Sequence, residues 1–252
     1  MRIKPRNALP GVLALAITAV CCSYGNSATI FSDNFDSYAD TTAMQAVWGA
    51  AGLGTLDTTN GYGGSQAMAH PGGTDNTYDL TSDLIPTDAD PVVLSGKIYD
   101  DGVGNKRFTI GFRSLATFPL FEMGAFNQDV GQGYYTRVNT FPGLSPNWVS
   151  LGAGGNVEGW HSYRAKFTGS TIDVTIDLNS NGSIDGSYSG NLGGAYTTGL
   201  GQLRLGGPSN LSSTGGGGLF DDIAVEVVPE PTSILALGCG IAALIVGARR
   251  RG

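Results

Sequence analysis

The stretch 162–178, SYRAKFTGSTIDVTIDL, contains two alternating runs on either side of a Gly-Ser pair. Tyr163, Ala165 and Phe167 alternate with Ser162, Arg164 and Lys166. After Gly169-Ser170, Ile172, Val174, Ile176 and Leu178 alternate with Thr171, Asp173, Thr175 and Asp177. A period of two sends successive side chains to opposite faces, as in a strand with one face buried and one wet. Two such runs around a short Gly-containing turn predict an antiparallel hairpin.

The same alternation recurs outward from this hairpin. Phe108, Ile110 and Phe112 face one way, and Arg107, Thr109 and Arg113 the other. Further strands are expected at Val92 to Tyr99, Leu120 to Phe126, Tyr134 to Asn139, Gly201 to Leu205 and Phe220 to Val228. No segment between Thr29 and Val228 keeps a helical period for long, the nearest being Thr41 to Trp48. Forty glycines, with many Thr, Ser, Asn and Asp, fit short strands joined by turns. The expectation is an all-β domain, two antiparallel sheets packed face to face as a β-sandwich.

Both ends of the chain read differently. Arg2, Lys4 and Arg6 precede an apolar stretch from Ala8 to Val20, and small residues follow to Ser27-Ala28. That is the layout of a secretory signal peptide, residues 1–28, with cleavage expected after Ala28 and Gly25 or Ser27 as alternative sites. Cys21 follows Thr18-Ala19-Val20, which departs from the Leu-Ala-Gly type of lipobox. At the other end, Ser233 to Ala248 is a run of sixteen residues without charge. At about 1.5 Å per residue it spans about 24 Å, short against a hydrocarbon core of about 30 Å. Arg249, Arg250 and Arg251 behind it mark the cytoplasmic side, so the chain before it is exported.

Between these ends, residues 29–228 are long enough for one domain with a sizeable core. Cys21, Cys22 and Cys239 all lie outside that span, so it has neither disulfides nor thiol chemistry. It holds eight basic residues against twenty acidic ones, a net charge of −12. A surface of that sign repels nucleic acid and anionic lipid and leaves carboxylates free for divalent cations.

One loop has metal-ligand spacing. In Asp177-Leu-Asn179-Ser-Asn181-Gly182-Ser183-Ile184-Asp185, oxygen-bearing residues stand at alternate positions, with Gly at the sixth and Ile at the eighth. This matches the front of a calcium loop of the EF-hand or dockerin kind, with Asp177, Asn179, Asn181 and Asp185 as side-chain ligands and the Ser183 carbonyl as a fifth. The twelfth position, where an acidic residue should stand, is Tyr188. The competing reading is a polar hairpin turn around Asn181-Gly182. The acidic pairs Asp88/Asp90, Asp100-Asp101 and Asp221-Asp222 read as solvated loop or strand-edge charges, the last pair also as part of the terminal strand.

The catalytic inventory is thin. Glu122, Glu158 and Glu226 are dispersed, and His70 and His161 sit in no metalloprotease pattern. There is no Gly-x-Ser-x-Gly elbow and no phosphate-binding loop. Tyr62, Tyr99, Tyr134, Tyr135, Trp148 and Tyr188 lie in or beside Gly- and Asn-rich segments, where rings could stack on sugars or could fill the core.

Two resemblances bear on these readings. The order Pro229-Glu230-Pro231, short apolar helix and Arg249 to Arg251 resembles the PEP-CTERM sorting signal of bacterial exopolysaccharide producers. The resemblance implies recognition by an exosortase, a membrane protease-transpeptidase that removes the helix, and delivery to the cell surface or matrix by way of the inner membrane. It assigns 229–252 to the sorting signal, including a transmembrane helix. The opening Phe31-Ser-Asp33-Asn34-Phe35-Asp36, Trp48, the late Gly159-Trp160-His161 and the final Phe220-Asp-Asp-Ile223 resemble the concanavalin A-like, laminin-G-type jelly roll. That resemblance implies first and last strands paired side by side. It lacks the Glu-x-Asp-x-Glu strand of the glycosidases of this class. The expected function is a non-catalytic surface or matrix module that binds polysaccharide or is structural. The competing class is a secreted hydrolase or lyase acting on the same polysaccharide.

Overall fold

A computed structural model describes residues 27–229 except Asn105, Thr117, 127–132, Ala195, Thr197 and 208–216. The signal segment up to Asn26 and the sorting segment from Glu230, including Ser233 to Ala248, lie outside the described residues. Among the described residues no helix is long and apolar enough to cross a membrane.

From the N-terminus, β1 (Ala28–Asp33) leads into a two-turn helix, α1 (Thr41–Trp48). Then come β2 (Thr55–Asp57), β3 (Ala67–His70), β4 (Asn76–Leu84), β5 (Val92–Asp100), β6 (Phe108–Arg113), β7 (Leu120–Phe126), β8 (Gly133–Asn139) and β9 (Trp148–Ser150). The last five are β10 (Gly159–Phe167), β11 (Thr171–Asp177), β12 (Gly186–Asn191), β13 (Leu200–Gly206) and β14 (Gly218–Val227). The helix starts at Asp40, whose side chain accepts the Ala43 N–H at 2.8 Å, and it buries Met44 and Trp48.

The strands form two sheets, antiparallel throughout. One runs β12-β11-β10-β5-β14-β3-β2 with β1 also on β14, and the other β4-β13-β6-β7-β8-β9. The predicted hairpin is β10 and β11, in register from Ser162 opposite Asp177 to Phe167 opposite Ile172. Its strand ends one residue earlier than the alternation suggests. Leu178 belongs to a 3-10 turn, Leu178–Ser180, where Asn179 takes a positive φ of 65°.

The sheets face each other through aromatic side chains. Phe167 of β10 meets Phe121 of β7 edge-on at 4.9 Å and Phe112 of β6 at 6.2 Å, and Phe220 of β14 meets Phe108 at 6.4 Å. Burying such rings is the main source of stability in a domain without disulfides. Gly124 is required where β7 crosses β6. Its φ is +152°, and a Cβ there would lie 2.3 Å from the Phe108 carbonyl oxygen.

The chain ends meet. β1 pairs with β14 from Ala28 opposite Val227 to Asp33 opposite Ile223, as expected of paired first and last strands. β14 carries a bulge between Asp221 and Ala224, with Asp222 at φ +49°. Two polar residues between Phe220 and Ile223 need that extra residue for both apolar side chains to face the core. The bulge also decides where Asp221 goes.

Candidate functional site

Neighbouring strands of the larger sheet bring Leu56, Met68, Phe220, Ile98 and His161 into one row. That row faces inward; Met68, Phe220, Ile98 and His161 are each fully buried. Alternation puts the adjoining row, Thr55-Ala69-Leu219-Tyr99-Trp160, on the outer face. Four strand spacings make it about 19 Å long. An open cleft of about 730 Å³ lies along it, lined among others by Asp57, Asn60, Ala69, His70, Tyr99 and Asp101.

Three rings cluster beside the cleft. Trp160 and Tyr99 have centroids 5.6 Å apart, and Tyr62 meets Trp160 edge-on at 6.1 Å. Tyr62 comes from a 3-10 turn (Tyr62–Gly64) between β2 and β3 and is 38% exposed. Asp221 holds this turn down. Its Oδ2 accepts the Tyr62 N–H at 2.8 Å and the Ser65 hydroxyl at 3.2 Å, while Oδ1 accepts the Asp222 N–H at 2.7 Å. Lys97 supports the ring with Nζ 4.0 Å from its centroid, and is paired with Asp222 at 2.5 Å. The Tyr99 hydroxyl donates to Glu158 Oε1 at 3.2 Å. Lys106 pairs with Asp101 at 2.7 Å and donates to the Gly217 carbonyl at 3.4 Å.

The structure therefore sorts the aromatic candidates. Tyr99 lines the cleft, and Tyr62 stands beside it against Trp160. Tyr134 is fully buried and Tyr135 nearly so; Trp148 stacks on Phe126 at 4.2 Å; Tyr188 packs against the core. Trp160, the third ring of the cluster, was read only as part of a strand-entry motif. Its signal was available in the alternation: His161, Tyr163, Ala165 and Phe167 face inward, which turns Trp160 outward.

Asp100 and Asp221 correct the reading of their pairs as solvated charges, since each is only 1% exposed. Asp221 is covered by the Tyr62 turn. Asp100 accepts the Tyr134 hydroxyl at 2.9 Å and the Gly102 N–H at 3.0 Å, and burial raises its pKa against these bonds. His161 completes this network. Its Nδ1 accepts the Asn179 N–H at 3.1 Å, so Nε2 carries the proton, 2.8 Å from the Val157 carbonyl and 3.0 Å from the Tyr134 oxygen. Burial holds its pKa below the ordinary value, so the ring is a neutral structural link between the sheets. His70 is likewise enclosed, accepting the Gly72 N–H on Nδ1 and donating from Nε2 to the Thr74 carbonyl, both at 3.0 Å. Glu122 is buried on Arg137 at 3.4 Å.

The loop from Asp177 to Asp185 is held by its own backbone. Asp177 accepts the Asn181 N–H at 3.0 Å and the Gly182 N–H at 2.7 Å, Asp185 accepts the Leu178 N–H at 2.7 Å, and Asn181 accepts the Ser183 N–H at 2.9 Å. Asn179 Oδ1 sits against Gly159, 2.7 Å from where a Cβ would stand. The donor set is hard oxygen, the kind calcium takes, though only two of the residues carry charge. Among the described residues no group of three or more His, Cys, Asp or Glu converges on one point. Of the sorting residues, only Pro229 is described.

No family model matches this chain, and no curated protein matches it significantly. Solved structures do. The CBM2 module of the evolved Dit of Lactobacillus casei BL23 phage J-1 is similar at 10% identity, covering 81% of this chain and 97% of its own, with a TM-score of 0.53. The cellulose-induced protein Cip1 is 20% identical over 77% of this chain and 96% of its own, with a TM-score of 0.47. The exoplasmic/lumenal domain of VIP36, solved with Ca2+ and Man3GlcNAc bound, is 11% identical over 66% of this chain and 81% of its own, with a TM-score of 0.44. At 10% identity the property shared with the CBM2 module is the fold alone.

Proposed function

We propose that this domain is a non-catalytic carbohydrate-binding module of the concanavalin A-like, jelly-roll kind, with its site on the outer face of the larger sheet. The observation that carries the reading is the cluster of Tyr62, Tyr99 and Trp160 beside the cleft. Sugar rings have apolar faces that stack on such side chains, and their hydroxyls need acceptors like those of Asp57, Asn60 and Asp101. The similarity in fold to a CBM2 module agrees with the reading. Calorimetric titration against a panel of oligosaccharides tests it. Tyr99→Ala and Trp160→Ala are each expected to weaken binding about tenfold while leaving the melting temperature within a few degrees. Unchanged affinity in both variants would place the site elsewhere.

The ends of the chain complete the proposal. Residues 1–28 direct export, the apolar run from Ser233 anchors the chain in the inner membrane, and an exosortase cuts near Pro229-Glu230-Pro231, freeing the domain for the surface or matrix. Mass spectrometry of the secreted protein checks this. A mature product that still contains Ile241 to Arg251 would leave a membrane-anchored protein instead. A weak Ca2+ site at Asp177, Asn179, Asn181, Ser183 and Asp185 would stiffen the β11–β12 connection.

A further inference from the structure

We infer that the cleft selects glycans without carboxylate or sulfate groups, and that among these it binds those with free amines most tightly; this rests on the carbohydrate reading above. The argument is one of charge. Asp57 and Asp101 line the cleft, and Glu158 is tied to its Tyr99 through the tyrosine hydroxyl. Among the described residues, the ammonium groups of Lys97, over the Tyr62 ring, and of Lys106, on the lining residue Asp101, are already committed. Lys97 is held by Asp222 and lies over the Tyr62 ring; Lys106, only 8% exposed, is held by Asp101. A uronate or sulfate entering here would meet carboxylates without displacing a cation from a better partner. A protonated amine would meet the opposite field, with aromatic faces beside it that also attract cations. The span 29–228, at a net charge of −12, adds long-range attraction of the same sign.

Glu158 and Asp101 set this preference in different ways. Glu158 is exposed and bonded to Tyr99, so Glu158→Gln keeps the shape and a hydrogen-bond acceptor while removing charge. Asp101→Asn also releases Lys106, turning a neutral pair into a free cation at the cleft wall.

The experiment titrates the full chain, purified in mild detergent, with three probes: a glucosamine hexamer, its fully N-acetylated counterpart and a galacturonate hexamer. The glucosamine hexamer is expected to bind about tenfold tighter than the acetylated one at low salt, with the advantage shrinking at high salt as exposed charges are screened. Galacturonate should not bind measurably. Glu158→Gln should remove most of the amine preference, bringing the affinities for the two hexamers within about twofold of each other. Asp101→Asn should raise galacturonate affinity. Equal binding of amine and acetyl forms, or galacturonate binding as tight as either, overturns the inference while the carbohydrate reading stands. Failure of all three probes, together with the neutral panel, removes both.

Discussion

His70 shows how one residue can link the cleft to stability. Both ring nitrogens are engaged, and protonation would put a second N–H on Nδ1, against the Gly72 N–H it now accepts. Burial lowers its pKa to about 4. The unfolded chain takes up this proton near about 6.5, so the stabilising contribution is present above that pH and lost as pH falls towards 4. Asp75, paired with Arg204, and Asp221 run the opposite way. Burial raises each to about 6, so their contributions are full below about 4 and lost as pH rises through 6. The three overlap between pH 4 and 6.5, and the pH profile of the wild type alone will not separate them. Comparison with His70→Gln will. The stability advantage of wild type over variant, from urea denaturation, should be about 2 kcal/mol larger at pH 7 than at pH 4.5. An advantage that is the same at both pH values would mean that the ring is not titrating in this window.

At the level of elements, legibility followed exposure. β6, β10 and β11 could be read because one face of each is apolar and the other polar. β4, with the sequence NTYDLTSDL, and β12, with GSYSGN, lie at sheet edges and are held by backbone pairing that side-chain pattern does not record. Two of the three rings of the cluster were legible, since Tyr62 and Tyr99 lie in or beside polar segments. Trp160 was hidden because its neighbours suggested a structural motif, and the burial of Asp100 and Asp221 depended on contacts 34 and 159 residues away in sequence. The β11–β12 connection is the element that sequence alone left between two readings. Its backbone donors explain how Asp177 and Asp185 can lie in one small loop, yet each carboxylate oxygen keeps a second lone pair for a cation. Millimolar Ca2+ is expected to raise the melting temperature by a few degrees, EDTA to reverse this, and Asp177→Ala to abolish the difference, even though it also lowers the baseline by removing two caps. If wild type melts identically with calcium and with chelator, the connection is only a turn.

At the scale of the whole molecule, the last strand is the keystone. β14 pairs with β1, β3 and β5, so the N-terminal strand, the strands bordering the cleft and the bulge that seats Tyr62 all depend on residues 218–227. Phe31 of β1 packs at 4.1 Å on Tyr78 and at 5.6 Å on Trp48, contacts that hold only while β1 stays on β14. Ends paired across nearly two hundred residues make slow folding of high contact order. They also mean that the sandwich cannot close until the C-terminal strand is available. A chain ending at Gly217 should therefore lack a cooperative melting transition, bind no glycan and be cleaved rapidly by protease. One ending at Val228 should melt as a single unit, because it retains the pairing of β1 with β14 from Thr29 opposite Glu226 to Asp33 opposite Ile223, and the Val228 N–H bond to the Pro91 carbonyl at 2.9 Å. A cooperative transition in the shorter chain would show that β5 and β10 nucleate a stable sheet without β14, and would remove the coupling between chain closure and the Tyr62 site.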